Sequence, residues 1–152
     1  MVLVHVARAL RHMRSDASLA ALEGLLEHAS TDVPSVALTS IANRLGPGVL
    51  PYARRCVHGP RFVQVVALRF VTEHGDATDL PTVIARLKKL PGTRMQYEPP
   101  EVSSLVPFLL RFPEDPKALA ALRKLRDVIA KIPPNERTWI ERHAPEILSK
   151  GD

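Results

Sequence analysis

Phe62-Val63-Gln64-Val65-Val66-Ala67-Leu68-Arg69-Phe70-Val71-Thr72-Glu73-His74 is the stretch on which the reading of this chain turns. Val63-Gln64-Val65-Val66 is rich in β-branched residues and, taken alone, suits a strand. Over the longer window Val63, Val66, Ala67, Phe70 and Val71 recur at steps of 3, 4, 7 and 8, the spacing of one helical face. A longer register decides between the two. Val66-Ala67 stands thirty residues after Val36-Ala37, which stands thirty after Val6-Ala7. A second register agrees, with Leu50-Pro51 and Leu80-Pro81 also thirty apart and Ala20-Ala21 one period upstream. Self-similarity at a fixed period of roughly 20–50 residues is the mark of stacked helical units, each of which buries its apolar face only against a neighbour. The stretch is therefore predicted to be helical, and the chain all-α.

Working outward, the spacing predicts helices over 2–14, 17–29 and 33–45. The first carries Val2, Val6, Ala9, Leu10 and Met13 on one side and Arg8, Arg11 and Arg14 on the other. The second presents Leu19, Leu22, Leu25 and Leu26 inward, capped from Ser15 or Asp16. The third is expected to be capped by Asp32 and stopped by Gly46-Pro47-Gly48, with Val36, Ala37, Ile41 and Leu45 inward. A short helix over 49–57 follows, then 62–74, then 80–90 with Asp79 as its cap and Pro81 in the first turn. Beyond Leu90 the period is lost. Pro91, Pro99, Pro100, Pro107, Pro113 and Pro116 interrupt any long helix, which leaves a loop over 91–101 and a short helix over 102–112. A helix opening at Asp115-Pro116 and running to Ile132 is expected next, with Leu119, Leu122, Leu125, Val128, Ile129 and Ile132 inward. Pro133-Pro134 separates it from a last helix over 135–149.

The run Gly75-Asp76-Ala77-Thr78-Asp79-Leu80-Pro81-Thr82-Val83-Ile84-Ala85-Arg86-Leu87-Lys88 resembles the turn and first helix of a HEAT-like, armadillo-type repeat, and Val63 through Ala67 resembles the second helix of the preceding one. The resemblance covers residues 1–90. It implies a right-handed α-solenoid of stacked antiparallel helix pairs, about seven to eight helices in all. On that reading the chain is a single domain, 1–152, with regular repeats over 1–90, an irregular Pro-rich segment at 91–116 and capping helices over 117–152.

Charge is unevenly spread. Residues 1–43 carry three Arg against four acidic residues and 95–152 carry nine of each sign, so the net +5 arises between Arg44 and Arg94. That stretch holds Arg44, Arg54, Arg55, Arg61, Arg69, Arg86, Lys88, Lys89 and Arg94 against Glu73, Asp76 and Asp79. Such a band meets an acidic protein or a phosphate backbone, or is an ordinary solvated face. The single cysteine, Cys56, lies in an apolar helical run and reads as a buried thiol in a reducing, cytoplasmic setting. No apolar stretch approaches the roughly 18 residues of a membrane span.

Chemistry is sparse. The histidines do not cluster, and His5 and His12 stand without the carboxylate of a zinc-type spacing. Asp32, Asp76 and Asp79 are explained as helix caps. Glu98, Glu101, Glu114 and Asp115 read as a solvated acidic loop. No phosphate loop or nucleophile elbow is present in the sequence, so no enzyme, cofactor or metal is expected.

What remains is surface. In a solenoid the second helix of each pair lines the concave side, so 1–14, 33–45 and 62–74 should form one wall. Arg14, Arg44 and His74 recur on it at thirty-residue spacing, with Arg11, Asn43, Arg61, Gln64, Arg69 and Thr72 nearby. Cations at helix C-termini also complement the macrodipole, which offers a ligand-free account of Arg14, Arg44 and His74. The expected function is a non-enzymatic protein-binding module, an adaptor, assembly subunit or inhibitor, whose partner has an acidic surface. Phosphate-backbone nucleic-acid binding is the alternative, encouraged by an isoelectric point near 9.8. Two Tyr and one Trp leave little for base stacking.

Overall fold

The computed structural model describes residues 2–149 and is all-helical, with no strand among the described residues. The chain divides into two compact units, Met1–Gly75 and Asp76–Asp152.

The first unit contains α1 (Val2–Leu10), α2 (Asp16–Leu25), α3 (Asp32–Leu45), α4 (Leu50–Cys56) and α5 (Arg61–His74). The β-branched stretch within α5 is helical, as the register requires. α3 is the hub, packed on α1, α2 and α5, while α5 packs in turn on α4. This surrounding explains why α3 buries more than one stripe: Val33, Pro34, Ser35, Ala37, Leu38, Ser40 and Ile41 are all inside. Val36 and Leu45, expected to be inner residues, are only half-buried. α1 differs more. It ends at Leu10 rather than at Arg14, and Ala7 is its buried residue, with Val2 76%, Val6 40% and Met13 54% exposed.

Several long-range bonds in the first unit link residues about thirty positions apart. Ser40 Oγ donates to the Ala7 carbonyl (3.0 Å) and Arg44 Nη1 to the Met13 carbonyl (3.1 Å), 33 and 31 residues apart. Tyr52 Oη donates to Glu23 Oε1 (2.8 Å) and Arg55 Nη2 to Glu27 Oε1 (3.0 Å), 29 and 28 residues apart. A nearly fixed offset along both members of a pair means that the partners run in the same direction. The thirty-residue period thus appears as α3 packed beside α1, with Tyr52 of α4 reaching Glu23 of α2.

The helix ends follow local chemistry. Ser15 Oγ accepts from the Ser18 amide (3.2 Å) and starts α2. Gly46, at φ 55°, takes the left-handed turn that ends α3, a conformation that favours glycine. The chain then runs through a 3₁₀ turn, Gly46–Val49, directly into α4. Asp32 does not cap α3 as expected: it lies inside the helix, whose Val33 amide bonds instead to Ser30 Oγ (3.3 Å).

The second unit contains α6 (Leu80–Leu87), α7 (Val102–Leu110), α8 (Pro116–Asp127) and α9 (Pro134–His143). Its entrance is a reciprocal box in which Asp76 Oδ1 accepts from the Thr78 amide (2.8 Å) and the Asp76 amide donates to Asp79 Oδ2 (3.1 Å). Asp79 therefore closes the turn before α6 without its side chain capping the helix. The Pro-rich segment contributes a central element. α7 buries Val102, Leu105, Val106, Phe108 and Leu109 despite Pro107, and packs on α6, α8 and α9. Asp115 Oδ1 accepts from the Lys117 and Ala118 amides (2.8 and 2.9 Å) and caps α8. Two expected helix extensions are 3₁₀ turns instead, at Ile129–Lys131 and Pro145–Ile147, and the helix expected over 80–90 stops at Leu87, ahead of a further 3₁₀ turn at Leu90–Gly92. On α8, Ala118, Ala121, Leu122 and Leu125 are buried, whereas Leu119, expected inside, is 37% exposed.

Candidate functional site

The residues expected on one binding wall have divergent fates. Arg11 and Arg14 lie in the turn after α1, Asn43 lies in the last turn of α3, and all three are exposed. Together with His12 they surround an open, polar hollow of about 470 Å³ in the first unit. Arg11 Nε bonds to His12 Nε2 at 3.0 Å. Neither Arg11 nor Arg14 pairs with a carboxylate among the described residues. Packing α3 beside α1 sets the C-terminal end of each at the same level, and this gathers the three side chains from positions thirty residues apart.

Arg44 is drawn out of the expected column. Its Nη1 donates to the Met13 carbonyl (3.1 Å) and to Ser18 Oγ (2.8 Å), and its Nη2 to the Ser15 carbonyl (2.9 Å). The guanidinium thereby ties the α1–α2 turn to α3, directly beside the hollow. Gln64 Nε2 donates to the Val57 carbonyl (2.7 Å), and Thr72 is buried with its hydroxyl donating to the Leu68 and Arg69 carbonyls (2.9 Å each). These two side chains serve α5 and its approach instead of an open wall. Arg69 is half-buried, His74 lies 3.8 Å from Glu73, and the side chain of Arg61 falls outside the described residues.

The basic band is likewise dispersed by folding. Arg55 pairs with Glu27, whereas Lys88, Lys89 and Arg94 are exposed in the second unit. Arg86 is 5% exposed and is clamped by Glu101, Nε to Oε2 at 2.6 Å and Nη2 to Oε1 at 2.5 Å. Glu101, expected in a solvated loop, is 4% exposed. Its backbone amide and that of Val102 donate to the two oxygens of Glu136, at 3.0 and 2.9 Å. A carboxylate from α9 thus caps α7 while the first turn of α7 holds α6 through Arg86. Burial pushes the Glu136 carboxyl above its ordinary range, with the two amides and Arg86 opposing and the Glu101 charge adding to the rise. The hydrogen bond to Glu101, outweighing burial, raises the Arg86 guanidinium. Sequence spacing gives no sign of this triad, because its members lie 15 and 35 residues apart, on α6, at the residue before α7 and on α9.

Each member is buried and bonded to another part of the second unit, so the triad ties α6, α7 and α9 together. Among the described residues no group of His, Cys, Asp and Glu is placed to hold a metal ion. Cys56 is buried, and burial raises its thiol pKa, away from the thiolate needed of a nucleophile. No described helix is long and apolar enough to cross a membrane. No family model, curated protein or solved structure matches the chain.

Proposed function

We propose that the protein is a non-enzymatic binding module of HEAT-like helical repeats, and that its first unit takes carboxylates of an acidic protein partner at the Arg11, His12, Arg14 and Asn43 hollow. The observation that carries this reading is the convergence of Arg11 and Arg14, from the turn after α1, and Asn43, from the last turn of α3, around one polar hollow, with both guanidinium groups left without a carboxylate among the described residues. Guanidinium groups present forked donors to carboxylates, and Asn43 adds an amide. Arg44 and Ser40, by fixing α3 on α1, hold the floor of the hollow in place, so little ordering is required on binding. A right-handed solenoid, with the hollow on its concave side, is the arrangement this reading adopts, and a cytoplasmic setting agrees with the single buried thiol.

The same donors would accept phosphates, and one titration separates the two. A labelled Glu-rich peptide is expected to bind the wild-type protein and to lose at least about tenfold in affinity to the Arg11→Glu/Arg14→Glu double variant. Because both residues are exposed, the melting temperature should stay unchanged. Equal peptide binding by variant and wild type would remove the hollow from the proposal. Tight capture of a DNA duplex at about 50 mM salt, falling steeply by about 200 mM, with no peptide binding, would transfer the hollow to a phosphate backbone.

A further inference from the structure

The second unit carries a different surface. α6 and α8 lie side by side and leave a trough of about 470 Å³ between them, floored by Ile84, Ala85, Ala120 and Ala121. It continues into a smaller depression of about 50 Å³ bounded by Leu87, Pro91, Leu125 and Val128. The first half of α6 faces the first half of α8, and the second half faces the second, so the two helices run in the same direction. The floor is low because alanine occupies Ala85, Ala120 and Ala121, where longer side chains would fill the space. Along the rim stand Lys88, Lys117 and Lys124, all exposed. None of the three pairs with a carboxylate among the described residues.

We infer that this trough is a docking site for a short acidic amphipathic helix of a partner protein. The apolar floor follows α6 from Pro81 to Leu87, about 9 Å at 1.5 Å per residue, and continues past the helix end to Pro91, which suits roughly two to three turns of a docked helix. Lys117 and Lys124 are seven residues apart, so two acidic residues spaced by about two turns on the incoming helix meet both ammonium groups. Uncompensated lysines clustered beside apolar surface repel one another until an anionic partner covers them. The trough is open along its length, which suits a partner with a polar back face. An acyl chain lying in it would keep one side in water. A second copy of this chain is disfavoured, because a two-fold contact through the trough would set lysines against lysines.

The test is independent of the Arg11 and Arg14 hollow and uses the whole chain. A fluorescein-labelled helical peptide of about 15 residues, with Leu at i, i+3, i+4 and i+7 and Glu along both flanks, is titrated by anisotropy beside a scrambled peptide of the same composition. The wild-type protein is expected to bind the helical peptide at least about tenfold more tightly than the scrambled one. Lys117→Glu/Lys124→Glu should reverse the preference, losing the Glu-flanked peptide and gaining a Lys-flanked version. Ala120→Trp, which fills the trough from an exposed position, should abolish both, with an unchanged melting temperature showing that the fold is intact. Arg11→Glu/Arg14→Glu should leave this binding untouched. The inference is overturned if the helical and scrambled peptides bind alike or not at all, or if Ala120→Trp leaves binding unchanged. It is equally overturned if dodecanoate binds while the peptide does not, or if sedimentation shows a dimer that Ala120→Trp dissolves.

Discussion

The three buried charges of the second unit show how a residue's meaning depends on its neighbours. Arg86 and Glu101 form a two-bond clamp out of water, an arrangement in which removing one partner alone is far more damaging than replacing both. Glu136 holds the first amides of α7, with its carboxyl pushed upward by burial. A carboxyl whose folded pKa exceeds its unfolded value favours folding more strongly when protonated. The cost of burying its charge is therefore fully present above the folded pKa and is relieved as pH falls through that value toward the ordinary 4.5. Measured against Glu136→Gln, which does not titrate, the wild-type protein should gain stability as pH is lowered from about 7 toward about 5. Denaturant titrations at several pH values check this, and a wild-type stability that falls relative to the variant on acidification contradicts it.

At the scale of elements, similar aspartates at helix starts do different things. Asp115 accepts from two amides at the head of α8, while Asp32 lies in the first turn of α3 with no side-chain cap bond from the preceding residue, Thr31. Asp115→Ala should cost about 1 kcal/mol. Asp32→Ala should cost less, about 0.3–0.5 kcal/mol, since only its interaction with the helix dipole is lost. Urea midpoints of the two variants provide the comparison, and equal losses would put the caps in the wrong place. The same contrast explains the shortened helices. α9 stops at His143 because Pro145 disfavours the α-conformation at Ala144, and the chain after α8 tightens into the Ile129–Lys131 turn ahead of Pro133-Pro134, where two amides are missing.

Over the whole molecule, protection should follow each unit's own centre. α3 is enclosed on three sides within the first unit and α7 on three sides within the second, whereas α1 leaves Val2 and Val6 exposed. Amide exchange is expected to be slowest in α3, α5 and α7 and fastest in α1, with a difference of several kcal/mol in opening free energy. Protection of α1 equal to that of α3 would contradict the packing described. The helical character of α5, and most helix boundaries to within a few residues, could be read along the chain alone. These are legible because periodic burial and turn-forming residues are properties of neighbouring positions along the chain. The burial of Arg86, Glu101 and Glu136, the diversion of Arg44 into the α1–α2 turn, and the trough between α6 and α8 were decided only by tertiary structure. Each depends on which side chains of distant segments are brought within hydrogen-bonding or van der Waals reach, and local spacing carries no record of that.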